Sequence, residues 1–591
     1  MVAIELAPFG GMLPAVDDTL LLANSAADAS NCNLFSGALI GLPTPINLHT
    51  LLSSGSTKVY RIPATYIDPS YLFESTWLEF ANKDTDVIRS PVITDTYDRY
   101  YWCSSTLSPR YNTKARIDAS ENELLLGIEK PGAISINVTG SGVASNVTRS
   151  YVITHVTTYG EEGPPSDPVV DTDKADNTWT ITFPAVAADD KDGTDRILAT
   201  VRVYRTIVGT STYFLVAEVP IADADYDDTI ADSDISSGTQ LASQFWTAPP
   251  TDLAGFLMMP NGMLAGWKNN ELWFSVPYRP HAWPVPYVKT VEYPIVGMGI
   301  VNQTLVVCTQ GYPVTASGTL PQYITISRLT NLEPCISRGS IISTPQGVFY
   351  ASPNGLVLVN PGRAENVTKN IITKDRWQSL TQLTQLRSGR FGALYYAFGT
   401  SRTGVFQDDI VQTDAFSQDD TAGAKLGVLI DPNDQRVAFV RLTSELETIN
   451  IMNDPWSGEL FIVRDGGVFY LNQSIEEPYF ESYLWKSKRF HMDEKTNLGA
   501  AKVFFTVPDT TPEQNPVPVA DIDQTLQSDQ YGLLRVYADD VLKSTHEIRT
   551  SGKIIKLPGG FKADYYQFEI EARVRIKNFQ VASTSKELSS V

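Results

Sequence analysis

Five histidines, at 49, 155, 281, 491 and 546, are the side chains of this sequence best suited to acid–base or metal chemistry, and they lie far apart. The nearest approach to a metal motif is His546-Glu547-Ile548-Arg549-Thr550, which begins like a zinc-protease helix but has threonine where the second imidazole belongs. Without two imidazoles on one helical face no such site forms. Gly297-Met298-Gly299 lacks the third glycine of a dinucleotide loop, and Gly552-Lys553 is followed by Ile554 instead of the Ser or Thr that a Walker loop gives to magnesium. No G-x-S-x-G nucleophile elbow is present. Aspartates 223, 225, 227, 228, 232 and 234 alternate closely enough to gather oxygen ligands for calcium. They lack the D-x-[DN]-x-[DN]-G pattern and a glutamate at its twelfth position, so the run reads as a solvated acidic strand and linker. His155 falls in a strand-like run and reads as a satisfied structural histidine. Paired carboxylates of the glycan-hydrolase kind meet only in the fold, and the sequence leaves them open. The expectation is a chain that is not an enzyme, with no catalytic residue, no cofactor and no metal.

The elements that would have to position any site are strands. Gly (39), Pro (36) and Tyr (27) are plentiful, and Val/Ile/Thr runs outnumber helix-forming ones, as many short strands joined by tight turns require. With 591 residues the chain is too long for one core, and a prior of one domain per ~150 residues suggests three or four units. Apolar residues at 42% and charged ones at 19% fit a globular protein. The formal charge of −21 disfavours general nucleic-acid binding, which needs a basic footprint; it would suit a wall past which DNA slides, and ordinary solubility accounts for such acidity at least as often. Cysteines 32, 103, 308 and 335 share no CxxC spacing and fit a reducing cytoplasm. The start MVAIELAPFGG has no basic n-region, and no run of ~18 apolar residues occurs, so neither secretion nor membrane insertion is expected. The Asn-x-Thr triplets at Asn137, Asn146, Asn302 and Asn366 accordingly read as chance.

Gly262 to Tyr287 organises the rest. Two apolar runs flank Lys268-Asn269-Asn270, which can supply the positive-φ positions of a hairpin, and the tail PYRPHAWP is held extended by Pro277, Pro280, Pro284 and Pro286. Similar hairpins recur from 245 to 475, including two GVFY copies at Gly347–Tyr350 and Gly467–Tyr470. Radial stacking of small sheets leaves only short edges exposed and suits this pattern. The expected layout is an N-terminal β/extended region at 1–130, a sandwich at 131–235, a β-propeller-like body at 236–475 and a C-terminal β platform domain at 476–591. Leu20 to Asn31 reads as a short helix or a bent connector, and Asp375 to Leu386 as a helix-compatible insertion. Tyr97, Tyr100, Tyr101 and Trp102 read as core or interface, with base or sugar stacking as the alternative.

Two resemblances follow from particular residues. The loop YGEEGPPSDP at Tyr159–Pro168 and the strand VRVYRT at 201–206 are similar to a fibronectin type III-like module, which implies an inserted sandwich that decorates a surface or makes contacts. Four stretches resemble, in order, the tail nozzle (tail tubular protein B-like) family of short-tailed bacteriophages. They are NCNLFSGAL at 31–39, WFSVPYRPHAWP at 273–284, YLWKSKRF with NLGAAKV between 483 and 503, and LPGGFKADYYQFEI at 557–570. The resemblance implies a structural virion protein of the tail, assembled in the host cytoplasm. Its partners would be five further copies in a homo-hexamer, the head-to-tail adaptor ring, and tail fibres or spikes, with DNA passing transiently through an acidic channel and no membrane insertion. The alternative is a carbohydrate-binding or glycan-degrading tail protein.

Overall fold

Short runs of β-branched and aromatic residues, closed by Gly, Asn and Asp turns, fold here as hairpins, and the chain is mainly β. The structure, a computed structural model, describes residues 3–64, 72, 75–380, 383–400, 425–431, 439–443, 448–464, 466–472, 480–506 and 532–589. Among these residues no α-helix exceeds the seven residues of Lys374–Leu380. None is long and apolar enough to cross a membrane. The polar stretches 407–421 and 507–529 lie outside the described residues.

The chain divides into two units, one of Met1–Lys83 with Glu333–Val591 and one of Asp84–Leu332. These boundaries cut across the four stretches expected from sequence, since 236–332 falls in one unit and 333–475 in the other.

In the first unit a ten-stranded sheet runs from Arg387–Phe391 to Val541–Glu547. Ala26–Ser30 sits in its middle, parallel to Phe439–Leu442 and antiparallel to Tyr483–Ser487. This corrects the reading of Leu20–Asn31 as a helix or connector. Only Asp18–Leu20 turns, as one 3₁₀ turn, and the alanine-rich part is a strand because Ala26 and Ala29 are the small side chains that fit the core there. Tertiary pairing overrides a helix propensity worth a few tenths of a kcal/mol per residue. A second sheet joins the two ends of the chain, with Ala3–Leu6 beside Arg575–Ala582. Ile46–Thr50 completes a four-stranded sheet whose other strands, Asn450–Asn453, Leu460–Arg464 and Gly467–Leu471, come 400 residues later in the chain. The expected helix near 375–386 is the helix Lys374–Leu380 followed by the 3₁₀ turn Leu383–Gln385.

The second unit contains three four-stranded antiparallel meanders whose outer strands are Asp86–Arg89 with Leu124–Leu125, Gly255–Met258 with Lys289–Thr290, and Ile295–Val301 with Thr325–Arg328. Neighbouring meanders share cores: Tyr101, Leu124, Phe256 and Leu264 in one cluster, and Trp267, Leu272, Leu305 and Val307 in another. Residues 135–228 form two further sheets, of three and four strands. Tyr151, Ile153, Trp179, Ile181, Val201 and Val203 from both sheets make one core. The pattern is legible in Thr178–Thr182, where Trp179 and Ile181 are buried and the threonines between them are not.

Of the aspartate run at 223–234, Asp223, Asp225, Asp227 and Asp234 are exposed as expected of a solvated strand, and Asp228 and Asp232 depart from it. Asp228 is wholly buried, 2.7 Å from Arg205 Nε, and accepts from Tyr151 Oη at 2.7 Å. Asp232 accepts from Arg149 at 3.3 Å and also pairs with Arg205. Arg149 in turn lies 5.0 Å above the Trp179 ring. Two arginines buried on the long strands need two carboxylates, and this run supplies them.

Candidate functional site

The proline-rich tail of the central hairpin builds the most distinctive local geometry. Leu264–Lys268 pairs with Glu271–Phe274 across a turn in which Asn269 has φ +51°. Two residues later Val276–Arg279 closes a second turn, with Arg279 N donating to Val276 O at 3.0 Å. Pro277 presets the first central position of that turn, but the second, Tyr278, holds φ +59°. Glycine or asparagine normally takes that place, and a bulky side chain is strained there. Two contacts hold it: Tyr278 N donates to Gly262 O at 2.7 Å, and the Tyr278 ring lies so close to Gly262 that a Cβ there would come within 2.4 Å of it.

Beyond the turn, Trp283 is fully buried, donating from Nε1 to Pro280 O at 2.7 Å and from its backbone N to Thr247 O at 2.8 Å. Those bonds tie the tail to the segment Gln244–Ala248. Trp246 of that segment meets the His281 ring edge-on at 5.7 Å, and the Arg279 guanidinium lies over its indole at 5.0 Å. A cavity of about 460 Å³ opens here, lined by Phe245, Trp246, Val285 and Pro286 with Pro164 and Pro165 of the YGEEGPPSDP loop, and by Glu129 and Lys130, which pair with Arg196 and Asp167; Arg279 stands beside it, over Trp246. Phe245 is 67% exposed and Val285 59%.

Behind Trp246 is a buried ion cluster. Arg99 reaches Asp95 Oδ2 at 2.8 Å through Nε and Glu161 Oε1 at 2.6 Å through Nη1. His281 Nδ1 stands 3.7 Å from the same Glu161 oxygen, too far for a hydrogen bond. Burial pushes the His281 imidazole down to about 3, helped by the cations Arg279 and Arg99, so the ring is neutral at pH 7. Burial raises the Glu161 carboxyl above its ordinary range against the pull of Arg99. Burial also opposes ionisation of Asp95, but hydrogen bonds from Arg99 and Ser90 outweigh it and hold that carboxyl low. Tyr97, Tyr159, Tyr111 and Tyr101 continue the cluster as neighbouring rings 4.5 to 6.3 Å apart. Of the aromatics read as core or interface, Tyr100, Tyr101 and Trp102 are buried and Tyr97 is 42% exposed. A neutral imidazole beside a carboxylate could move a proton, but His281 and Glu161 are both buried, and a general base must reach the proton it takes. The cluster fastens the 159–162 loop to the strand Arg99–Ser104 and to the proline tail.

The other candidates from sequence lie elsewhere. His546 and Glu547 sit on the strand Val541–Glu547, whose period-2 geometry cannot present a helical i, i+4 pair. Gly297 and Gly299 are in the strand Ile295–Val301, and Gly552 is at φ +69° in a turn. His155 is buried in Asn146–Thr157, its imidazole pushed down by burial to about 4. His49 meets Glu79 at 2.9 Å and stacks on Trp77 at 5.0 Å. All four cysteines are buried, and none is in a disulfide. Among the described residues no three His, Cys, Asp or Glu side chains gather as metal ligands. Sequence reasoning missed the Arg99–Glu161–His281 cluster and the Phe245–Trp246 pair. The one local signal for them was paired glutamates directly before Gly163-Pro164-Pro165, where a strand-to-loop junction buries them.

No family model matches the sequence. No curated protein matches it either. Among solved structures it is similar to the extracellular domain of a hybrid two-component system from B. thetaiotaomicron, at 9% identity over 85% of this chain and 76% of that one, with a TM-score of 0.21. A structure described as the extracellular domain of a one-component system from the same organism matches at 9% identity over 92% of this chain and 84% of that one, with a TM-score of 0.20. At those scores the likeness carries no argument about fold or function.

Proposed function

We propose that this chain is a structural virion protein, a subunit of the tail nozzle of a short-tailed phage, in which six copies surround the channel that retains and releases DNA. One observation carries the reading. Three of the four stretches that resemble the nozzle family, at 31–39, 483–503 and 557–570, contribute to one core, through Cys32, Leu34 and Leu39, through Trp485, Leu498 and Val503, and through Tyr566, Phe568 and Ile570. Backbone pairing links the last two, since Trp485 faces Ile570, and Ala29, just before the first stretch, faces Trp485 on its other side. Stretches that fold into one platform have a physical reason to carry a common signature.

In this reading the platform is the C-terminal β domain together with the N-terminal strands. The four-stranded meanders belong to a propeller-like wall, and residues 131–235 are an inserted fibronectin type III-like sandwich. The meander order of these sheets supports the wall. The two facing sheets at 135–228 support the sandwich. The acidic balance of −21 suits a channel to which DNA must not adhere.

Native mass spectrometry of the purified chain, alone and with its adaptor, tests the assembly. A six-copy species, alone or on the adaptor, is expected; a chain that stays monomeric in both conditions contradicts the reading. The glycan-degrading alternative predicts instead release of reducing sugar from host polysaccharide.

A further inference from the structure

The second unit contains ten arginines, all described, and nine of them lie within 4.0 Å of a carboxylate. Arg279 is the tenth. It is exposed, and instead of a carboxylate it has the Trp246 indole beneath it at 5.0 Å. Its charge acts on the buried Glu161 carboxyl, but no carboxylate oxygen lies within 4.0 Å of it in a chain with 67 acidic and 46 basic residues, so it is held short of an ion pair. The holding device is the strained turn at Tyr278, φ +59°, wedged between Pro277 and Pro280 and packed on Gly262. A bulky residue in the left-handed region is strained, and such strain gathers where a ligand is gripped. The Trp246 ring that Arg279 covers also lines the 460 Å³ cavity, beside the exposed Phe245 and Val285 and the rigid Pro164-Pro165 wall.

Flat aromatic surface beside an unpaired, fork-shaped cation fits a ligand with an apolar ring face and a carboxylate. The cavity lies within the ~300–1,000 Å³ of small-ligand sites, and its few apolar side chains fall far short of the ~800 Å² per partner of a stable protein interface. We propose that the Trp246–Arg279 shelf is a binding site for an acidic saccharide, with the pyranose face on the exposed Phe245 at the edge of Trp246 and the uronate carboxylate on Arg279. This goes beyond the nozzle reading and does not depend on it: a chain that forms no ring can still bind here, and a ring can form with the shelf empty.

The test uses the full chain with digalacturonate and a hyaluronan tetrasaccharide as acidic probes, cellobiose as a neutral sugar and inorganic phosphate as a charge-only control. Saturation-transfer NMR and tryptophan fluorescence are the readouts. Saturable binding of at least one acidic probe is expected, with cellobiose weaker and phosphate failing to displace it. Arg279→Gln should weaken the acidic probe ~10-fold and leave cellobiose unchanged. Trp246→Ala should weaken both sugars. Near-ultraviolet circular dichroism and the melting temperature check that each variant is folded. Failure of both acidic probes to bind saturably, displacement by phosphate, or binding unchanged in Arg279→Gln overturns the proposal.

Discussion

Arg99 and Glu161 meet with Nη1 2.6 Å from Oε1, their side chains 11% and 8% exposed, and the contact joins residues 62 apart in the chain. A buried pair of this kind contributes little relative to an apolar isostere, but losing one partner strands the other charge in a low-dielectric site. Arg99→Met should therefore destabilise the protein by roughly 3–5 kcal/mol in urea titration. Glu161→Gln should cost less, since the Glu161 carboxyl is already pushed towards its neutral form and Asp95 still pairs with Arg99. Equal losses in the two variants would contradict this asymmetry.

Stability should depend on pH through His281. Burial lowers its folded value from 6.5 to about 3, so between those limits the unfolded chain binds a proton that the folded one does not. The stabilisation is complete above pH 6.5 and is lost as pH falls towards 3. Between pH 7 and 5 the loss from this group amounts to roughly 2 kcal/mol. Glu161 acts in the opposite sense, because a raised carboxyl is stabilised in its protonated state, so the comparison with His281→Gln isolates the imidazole. Urea midpoints across that range should fall more steeply for the native chain than for the variant, and parallel curves would remove His281 from the account.

In the sandwich, Asp228→Asn should cost roughly 3 kcal/mol, because Arg205 is wholly buried and keeps only Asp232. Near-ultraviolet signal from Trp179, against which Arg149 packs, reports the loss directly. An unchanged melting temperature would mean that Asp232 alone suffices.

Two glycines make a matched pair. A Cβ on Gly41 would lie 2.4 Å from Glu481 O, a backbone atom that can move only with its strand. One on Gly262 would meet the Tyr278 ring at 2.4 Å, with φ +75° adding strain of its own. Each alanine variant should lose about 1–3 kcal/mol by calorimetry. Only Gly262→Ala should also alter tryptophan fluorescence from the shelf, because Tyr278 positions Arg279 over Trp246. The same fluorescence change in Gly41→Ala would argue against that local effect.

Local patterns disclosed the strands but not their partners. Leu198–Thr206 folds where its alternating valines indicated, because one buried face needs period two and nothing else. Ala26–Ser30 misled, since alanine favours a helix in isolation and the strand exists only through neighbours from residues 439–442 and 483–487. Asp228 looked solvated beside other aspartates, and nothing adjacent to it in sequence announces Arg205 or Tyr151. The shelf was hidden for the same reason. Trp246 and Arg279 are 33 residues apart, and what brings them together is the hydrogen bonding between Thr247 and Trp283.

The nozzle reading is tested most directly by an averaged cryo-electron microscopy map of tailed particles that contain this chain. The account predicts six copies around an axial channel below the adaptor, with the platform core of Trp485 and Phe568 resolved in each copy and acidic side chains facing the lumen. Peripheral spikes, or no density for the chain in the tail, would contradict it.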